Sequence, residues 1–173
     1  MMGRALAEEW DTVRHEGMSV FETPLKSISL FVLLDLLGAA DPSVSSYFEN
    51  THWAYRKLSK AERRLREQGL LESSPKTGAF LPDEERYSFS RGYVLDDHVP
   101  FLQRGVDVLH VIPTPFPAVW HTMEDDGAHL DVPTLKDWAR IMTVFVAEWM
   151  DLGEYLEPAP GDGQEEYRER DEL

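Results

Sequence analysis

Residues 28–38 read Ile-Ser-Leu-Phe-Val-Leu-Leu-Asp-Leu-Leu-Gly, and this stretch decides the fold. Its apolar side chains occupy consecutive positions, so a strand formed by it would be apolar on both faces. Strands of this kind occur in parallel sheets that helices cover on both sides. Gly38 and the pair Asp41-Pro42 end the stretch. We therefore predict a central strand of a covered, mostly parallel sheet over residues 28–37.

Three segments of the sequence have the periodicity of amphipathic helices. In each, apolar residues recur three or four positions apart, and charged residues fill positions between them. We predict helices over residues 3–15, 51–68 and roughly 133–151. Gly69 is placed to end the second helix, and Asp131 is placed to cap the start of the third.

A second strand is predicted over residues 107–112, where the side chains are again mostly apolar. Residues 72–93 are polar and contain several prolines and glycines, so we expect a surface excursion with at most short strands there. The order of helices and strands predicts a layered α/β domain with mostly parallel pairing. Ligand sites in such sheets gather at the carboxyl ends of the strands.

The composition excludes several classes of function. The chain has 173 residues, of which 42% are hydrophobic, and this is enough for an ordinary globular core. A net charge of -15 repels the phosphates of nucleic acids and anionic lipids, so neither is an expected partner. No apolar stretch is long enough to span a bilayer. The absence of cysteine excludes disulfides and cysteine-ligated zinc.

Asp35 lies near the end of the apolar stretch that forms the predicted central strand. A carboxylate in such a place is costly to bury unless it is hydrogen-bonded, paired with a cation or metal, or used in catalysis. Asp35 is therefore the first candidate for a functional residue. The alternative is an aspartate that caps the loop after the strand.

Asp96, Asp97 and His98 stand side by side between apolar flanks. This composition suits a hydrogen-bonded carboxylate–histidine pair near a metal. If the segment is extended, Asp96 and His98 share one face and Asp97 turns away. A turn built on Asp97 is the alternative.

The segment from Leu109 to Thr122 leaves the second strand through three alternating prolines and then presents Phe116, Trp120 and His121. Proline restricts the backbone, so we expect a rigid loop that carries two aromatic rings and a histidine. Such a loop suits the wall of an apolar pocket beside a metal ligand. The alternative is a structural histidine, because His121 is not part of an HExxH-type pair.

Three of these segments resemble the glutaminyl cyclases, whose fold is that of the zinc aminopeptidases of the M28 type. Residues 30–39 resemble the central strand of that family, residues 96–102 its acidic loop, and residues 113–122 its pocket loop. The resemblance runs from about residue 3 to residue 151. It implies a three-layer α/β domain with a mostly parallel central sheet that is incomplete at its N-terminus.

The resemblance implies a role for each candidate residue. Asp35 and Asp96 would form hydrogen bonds around the catalytic centre and manage protons there. Phe116, Trp120 and Leu95 would line the pocket for the glutamine side chain of the substrate.

His121 would be the histidine that ligates the single catalytic zinc ion. The family's aspartate and glutamate zinc ligands, and its general-base glutamate, correspond to sequence before this chain begins. Glu8 and Glu9 do not replace them, because they fall on the solvated face of a later helix. Since a catalytic zinc needs three protein ligands, we expect weak zinc binding by this chain.

The resemblance therefore implies a zinc-dependent glutaminyl-peptide cyclotransferase, which converts an N-terminal glutamine of a peptide or protein to pyroglutamate and releases ammonia. We expect this activity in a longer protein and an inactive, poorly soluble chain on its own. Two alternatives stay open: a zinc aminopeptidase of the same fold, and a non-catalytic peptide-binding module.

We divide the chain into residues 1–157, the C-terminal part of a cyclase-like catalytic domain, and residues 158–173, an acidic flexible tail. The last four residues, Arg170 to Leu173, differ from a KDEL-type retrieval signal only in the first residue. The expected location is the secretory pathway, in the endoplasmic reticulum or Golgi lumen or outside the cell, with a retrieval receptor as a partner. A chance ending of a charged tail is the alternative.

Overall fold

The computed structural model describes residues 2–82 and 94–155, and these form an α/β arrangement, as predicted. The helices are α1 (Met2–Thr12), α2 (His52–Glu67), α3 (Val99–Leu102) and α4 (Val132–Trp149). The strands are β1 (Phe31–Leu34) and β2 (Val108–Val111). Short 3-10 helices cover Leu25–Ser27, Gly127–His129 and Leu152–Glu154.

β1 and β2 pair in parallel, which confirms the predicted pairing mode. Phe31 lies opposite Val108, and Leu34 lies opposite Val111. One more hydrogen bond, from the Asp35 N–H to the Val111 carbonyl at 3.0 Å, continues the pairing to the first residue after β1. The end of β1 and the end of β2 therefore meet at the same edge of the sheet.

β1 is shorter than the predicted strand over residues 28–37. Ile28 ends a 3-10 helix, and Leu36 has a φ of 55°, in the left-handed region that no strand can contain. β1 is also only half-buried, and 46% of Leu34 is exposed, whereas all four residues of β2 are buried. Within the described ranges, β1 pairs with β2 alone, so its other edge has no neighbouring strand there.

The sheet separates two apolar clusters, so the described part of the chain has three layers. On one face, residues of α2 and α4 pack with Leu109 and Val111, and the rings of Phe80 and Trp138 stack 5.1 Å apart. The second face carries a smaller cluster from α1, α3 and their flanking loops. There Phe31 stacks on Phe101 at 4.4 Å. None of the helices described is long and apolar enough to cross a membrane.

The helix ends follow the predicted signals. The Asp131 carboxylate accepts a hydrogen bond from the Thr134 N–H at 3.0 Å and caps α4. Gly69 follows α2 with a φ of 69°, which a residue with a side chain adopts at a cost. α1 ends at Thr12, three residues before its predicted end, where the Thr12 hydroxyl donates to main-chain carbonyls of the preceding turn.

The prediction of a surface excursion over residues 72–93 was wrong at Phe80 and Leu81, whose side chains are fully buried in the main core. The buried carboxylate of Glu62 in α2 holds them there. It accepts hydrogen bonds from the N–H groups of Phe80 at 2.7 Å and Leu81 at 2.8 Å. Arg66 completes the arrangement with an ion pair to Glu62 at 2.7 Å. Residues 83–93 of the predicted excursion lie outside the described residues.

A second buried carboxylate, Asp137 of α4, holds the start of the same loop. It accepts hydrogen bonds from the N–H groups of Glu72 and Ser73, each at 2.8 Å. Burial alone would raise the pKa of Asp137, but bonds from the Ser73 hydroxyl and these N–H groups hold that pKa below its usual value. Residues 72–82 are thus fixed at both ends by helix carboxylates.

Replacing Glu62 with Ala should lower the free energy of unfolding by about 3–5 kcal/mol, because it removes the carboxylate that pairs with Arg66 and leaves two buried main-chain N–H groups without an acceptor. Equilibrium unfolding in urea measures this change. The control is Glu67→Ala, on the same helix, where the glutamate side chain is 66% exposed and the expected change is below about 0.5 kcal/mol. Equal midpoints for the two variants would contradict the structural role given to Glu62.

Candidate active site

Asp35 stands at the carboxyl end of β1, as predicted. One of its carboxylate oxygens accepts the Leu36 N–H at 2.9 Å, and this bond supports the left-handed turn at Leu36. Burial raises the pKa of Asp35 above its usual value, and the negative charge of Asp96 raises it further. Asp35 therefore caps the turn after β1, as the alternative interpretation expected, and the charge of Asp96 acts on it. Its catalytic role stays a prediction.

Asp96 forms a hydrogen-bonded pair with His110, the third residue of β2. The distance between Asp96 Oδ2 and His110 Nε2 is 3.1 Å. His110 is buried, and burial lowers the pKa of its ring, although the charge of Asp96 acts in the opposite direction. The strand register sets this geometry, because Leu33 lies opposite His110 and Asp35 follows two residues later.

His98 lies against His110. Its ring is fully buried, 4.4 Å from the ring of His110, and the ring of Phe48 meets it edge-on at 5.6 Å. Neither ring nitrogen of His98 has a hydrogen-bond partner in the described part of the chain. Burial and the neighbouring His110 lower the pKa of His98 to about 4, so the ring is neutral at pH 7.

Asp96 and His98 lie close together, but no hydrogen bond joins them in the described part of the chain, where the carboxylate–histidine pair is formed with His110 instead. The segment is a turn, which was the alternative to an extended segment. The Asp97 N–H donates to an Asp96 carboxylate oxygen at 2.7 Å, and the Asp97 carboxylate accepts the Gly3 N–H of α1 at 3.3 Å. A Cβ at Gly3 would lie 2.6 Å from the Asp97 carbonyl oxygen, so α1 approaches this turn only because residue 3 is glycine.

Phe116 and Trp120 lie together on the proline-rich loop, with ring centroids 4.8 Å apart in a T-shaped arrangement. Two adjoining clefts border this loop. The larger, of about 410 Å³, includes Leu36 and Phe116 in its wall, and the smaller includes Leu36 and Trp120. Leu36 directly follows Asp35, so both clefts beside the aromatic pair are lined by the residue next to Asp35. The predicted role of these rings in binding substrate stays a prediction.

His121 and Leu95 are both exposed. The ring of His121 stacks on Trp120 at 3.9 Å, and its main-chain N–H donates to Asp125 at 3.2 Å. Leu95 is 75% exposed and precedes Asp96. The assignment of His121 as a zinc ligand and that of Leu95 to the substrate pocket stay predictions.

One group of metal-ligating side chains occurs within residues 2–82 and 94–155. It consists of Asp96, His98 and His110, whose ligand atoms all lie within 4.8 Å of one another. A carboxylate with two imidazoles is a donor set that fits zinc. His121 does not belong to this group.

Sequence reasoning did not select His110 as a site residue. The signal was present, because a histidine between Leu109 and Val111 in a buried strand needs a polar partner. That partner, Asp96, belongs to a turn whose position only the folded chain reveals.

Comparisons with known proteins agree with this geometry. The profile of peptidase family M28 matches residues 15–146. The chain is 42% identical over 150 residues to the glutaminyl-peptide cyclotransferase of Bothrops jararaca, which covers 87% of this chain and 40% of that protein. Against the cyclotransferase of Drosophila melanogaster it is 41% identical over 154 residues. The chain thus spans about 40% of the length of these relatives.

The fold is also that of a solved glutaminyl cyclase, from Macrostomum lignano. The TM-score is 0.75 at 33% identity, over 90% of this chain and 48% of that one. A Zn-dependent exopeptidase from Parabacteroides distasonis shares the fold at 17% identity, with a TM-score of 0.52 over 80% of this chain and 44% of that one. The predicted α/β fold of the zinc-aminopeptidase type is confirmed. The chain belongs to peptidase family M28.

Proposed function

We propose that this chain forms the C-terminal part of a glutaminyl-peptide cyclotransferase. The observation that carries the proposal is the Asp96–His110 pair beside Asp35, at the carboxyl end of parallel strands. It occurs in a chain 42% identical to the cyclotransferase of Bothrops jararaca. The substrates would be peptides and proteins with an N-terminal glutamine.

The reaction needs a group that accepts and returns a proton. The α-amine nitrogen attacks the side-chain carbonyl carbon, a carbon–nitrogen bond closes the ring, and the bond to the side-chain nitrogen breaks. A proton must leave the α-amine, and the departing nitrogen must gain one to leave as ammonia. Asp35 suits this task, because its raised pKa brings proton uptake and release closer to neutral pH. Asp96 is the second carboxylate beside it, and its hydrogen bond with His110 holds it in place.

A zinc ion, when bound, would polarise the side-chain carbonyl of the substrate. In this chain the family resemblance assigns His121 to that ion. The exposed His121 offers one ligand where a catalytic zinc requires three, so the longer protein would supply the other two. We therefore propose that this chain alone does not hold the catalytic ion at His121.

Phe116 and Trp120 would form the apolar wall against which the glutamine side chain packs. Their rings are already in contact, and Trp120 keeps 37% of its surface exposed toward the solvent. A substrate that covers this surface would also exclude water, which otherwise competes with the amine for the carbonyl carbon.

The test of the proposed function is a fusion protein. It joins this chain to the part of the Bothrops jararaca cyclotransferase that precedes the region matched by this chain. We expect the fusion to convert a glutaminyl peptide to its pyroglutamyl form with one ammonia released for each ring closed. This chain alone should give neither product. A folded, zinc-loaded fusion without this activity would contradict the proposal.

In that fusion, Asp35→Asn and Asp96→Asn should each reduce kcat by about 100-fold or more, because the amide keeps the shape of the side chain and loses its charge. Steady-state assays of pyroglutamate formation measure kcat. Asp97→Asn, at the exposed neighbour of Asp96, is the control and should keep the parent's kcat. If all three variants turn over alike, Asp35 and Asp96 are structural.

Trp120→Ala in the same fusion should raise KM for glutaminyl peptides by about tenfold and leave the zinc content unchanged, because the indole contributes packing area and no metal bond. Trp53→Ala is the matched control, since Trp53 is 43% exposed and lies on α2, away from the proline-rich loop. An unchanged KM for Trp120→Ala would remove this residue from the substrate pocket.

We also propose a location in the secretory pathway, because residues Arg170-Asp171-Glu172-Leu173 differ from a KDEL-type retrieval signal only in the first residue. Residues 154–173 fused to a secreted reporter should keep it inside the cell, in the endoplasmic reticulum. The control lacks the last four residues and should be secreted. Equal secretion of both reporters would dismiss a retrieval receptor as a partner.

A further inference from the structure

Asp96, His98 and His110 bring three side chains that can ligate a metal close together. Their ligand atoms lie within 4.8 Å of one another, and Asp96 Oδ2 and His110 Nε2 are 3.1 Å apart. Two nitrogen or oxygen ligands of one tetrahedral zinc ion, each about 2.0–2.1 Å from the metal, lie roughly 3.3 Å apart. The observed separation therefore suits two ligands of one ion as well as it suits a hydrogen bond.

His98 supplies the second, independent observation. Its ring is fully buried, and both ring nitrogens lack a hydrogen-bond partner within residues 2–82 and 94–155. Leaving a buried polar group without a hydrogen-bond partner is unfavourable. A metal ion bonded to one ring nitrogen of His98 would relieve part of this, because that nitrogen would then have a partner.

The local charge also favours a cation. The carboxylates of Asp35 and Asp96 lie close enough to repel each other. Within the described ranges, Asp96 forms an ion pair with His110 and with no lysine or arginine. A divalent ion at Asp96 would offset both negative charges.

We propose that this chain by itself binds one divalent transition-metal ion of the zinc type through Asp96, His98 and His110. Two imidazoles and one carboxylate are an established donor set for such ions. This site is separate from the incomplete catalytic site at His121, and the expected weak zinc binding applies only to that incomplete site. In the chain alone, the ion would replace the hydrogen bond between Asp96 and His110, so this proposal does not rest on the proposed cyclotransferase function.

The experiment is a titration of the full 173-residue chain, freed of metal by a chelator, with Zn²⁺ in a calorimeter and with Co²⁺ in a spectrophotometer. We expect one equivalent of Zn²⁺ and the visible absorption bands of four-coordinate Co²⁺. The His98→Phe variant keeps a ring beside Phe48 and should weaken binding of both ions at least tenfold. The control variant, His121→Ala, should bind both ions as the parent does.

Asp96→Asn is a second variant, which conserves the shape of the side chain, and it should also weaken binding at least tenfold. It replaces His98→Phe as the test if that variant does not fold. Ring nitrogen signals of two histidines in the ¹⁵N NMR spectrum of the parent should shift on addition of Zn²⁺, and the His121→Ala chain should show the same shifts. Absence of Zn²⁺ binding by the parent would overturn the proposal. Binding that survives in both His98→Phe and Asp96→Asn, or that is lost in His121→Ala, would overturn it too.

Discussion

The parallel pairing of β1 with β2 is the constraint on which the rest of the site depends. It sets Leu33 opposite His110 and continues to the Asp35 N–H. Because both strands end at the same edge, an acid that follows one strand meets a histidine carried by the other. The Asp96 turn only has to reach this edge to complete the group. The positions of the functional side chains at this edge thus depend on main-chain hydrogen bonds between the strands.

The same pairing divides β2 between two environments. Leu109 and Val111 point into the core between the sheet and α2 and α4, and His110 points the other way. A shift of register by one residue would bury the wrong face and place His110 in the apolar core. The core and the bond to Asp96 therefore both fix the orientation of His110. Together they keep a polar ring in one position in a buried strand.

Features that depend on local sequence were predictable, and features that depend on distant partners were not. Asp35 after an apolar run, Asp131 before α4 and Gly69 after α2 each act on neighbours within a few residues. The length of β1 was overestimated, because an apolar run does not reveal where a left-handed residue such as Leu36 ends a strand. The burial of Phe80 was missed, since it depends on Glu62 in another element.

The two buried carboxylates Glu62 and Asp137 have a consequence for how this protein can change over evolutionary time. Both hold main-chain N–H groups, which every amino acid except proline carries. Residues 74–78, between the two anchor points, are mostly exposed, and besides the contact of Lys76 with Asp41 they can lengthen or diverge without displacing either end. A lineage could place a new recognition element there, and an engineer could place a tag or a small inserted domain, at little cost to the sheet.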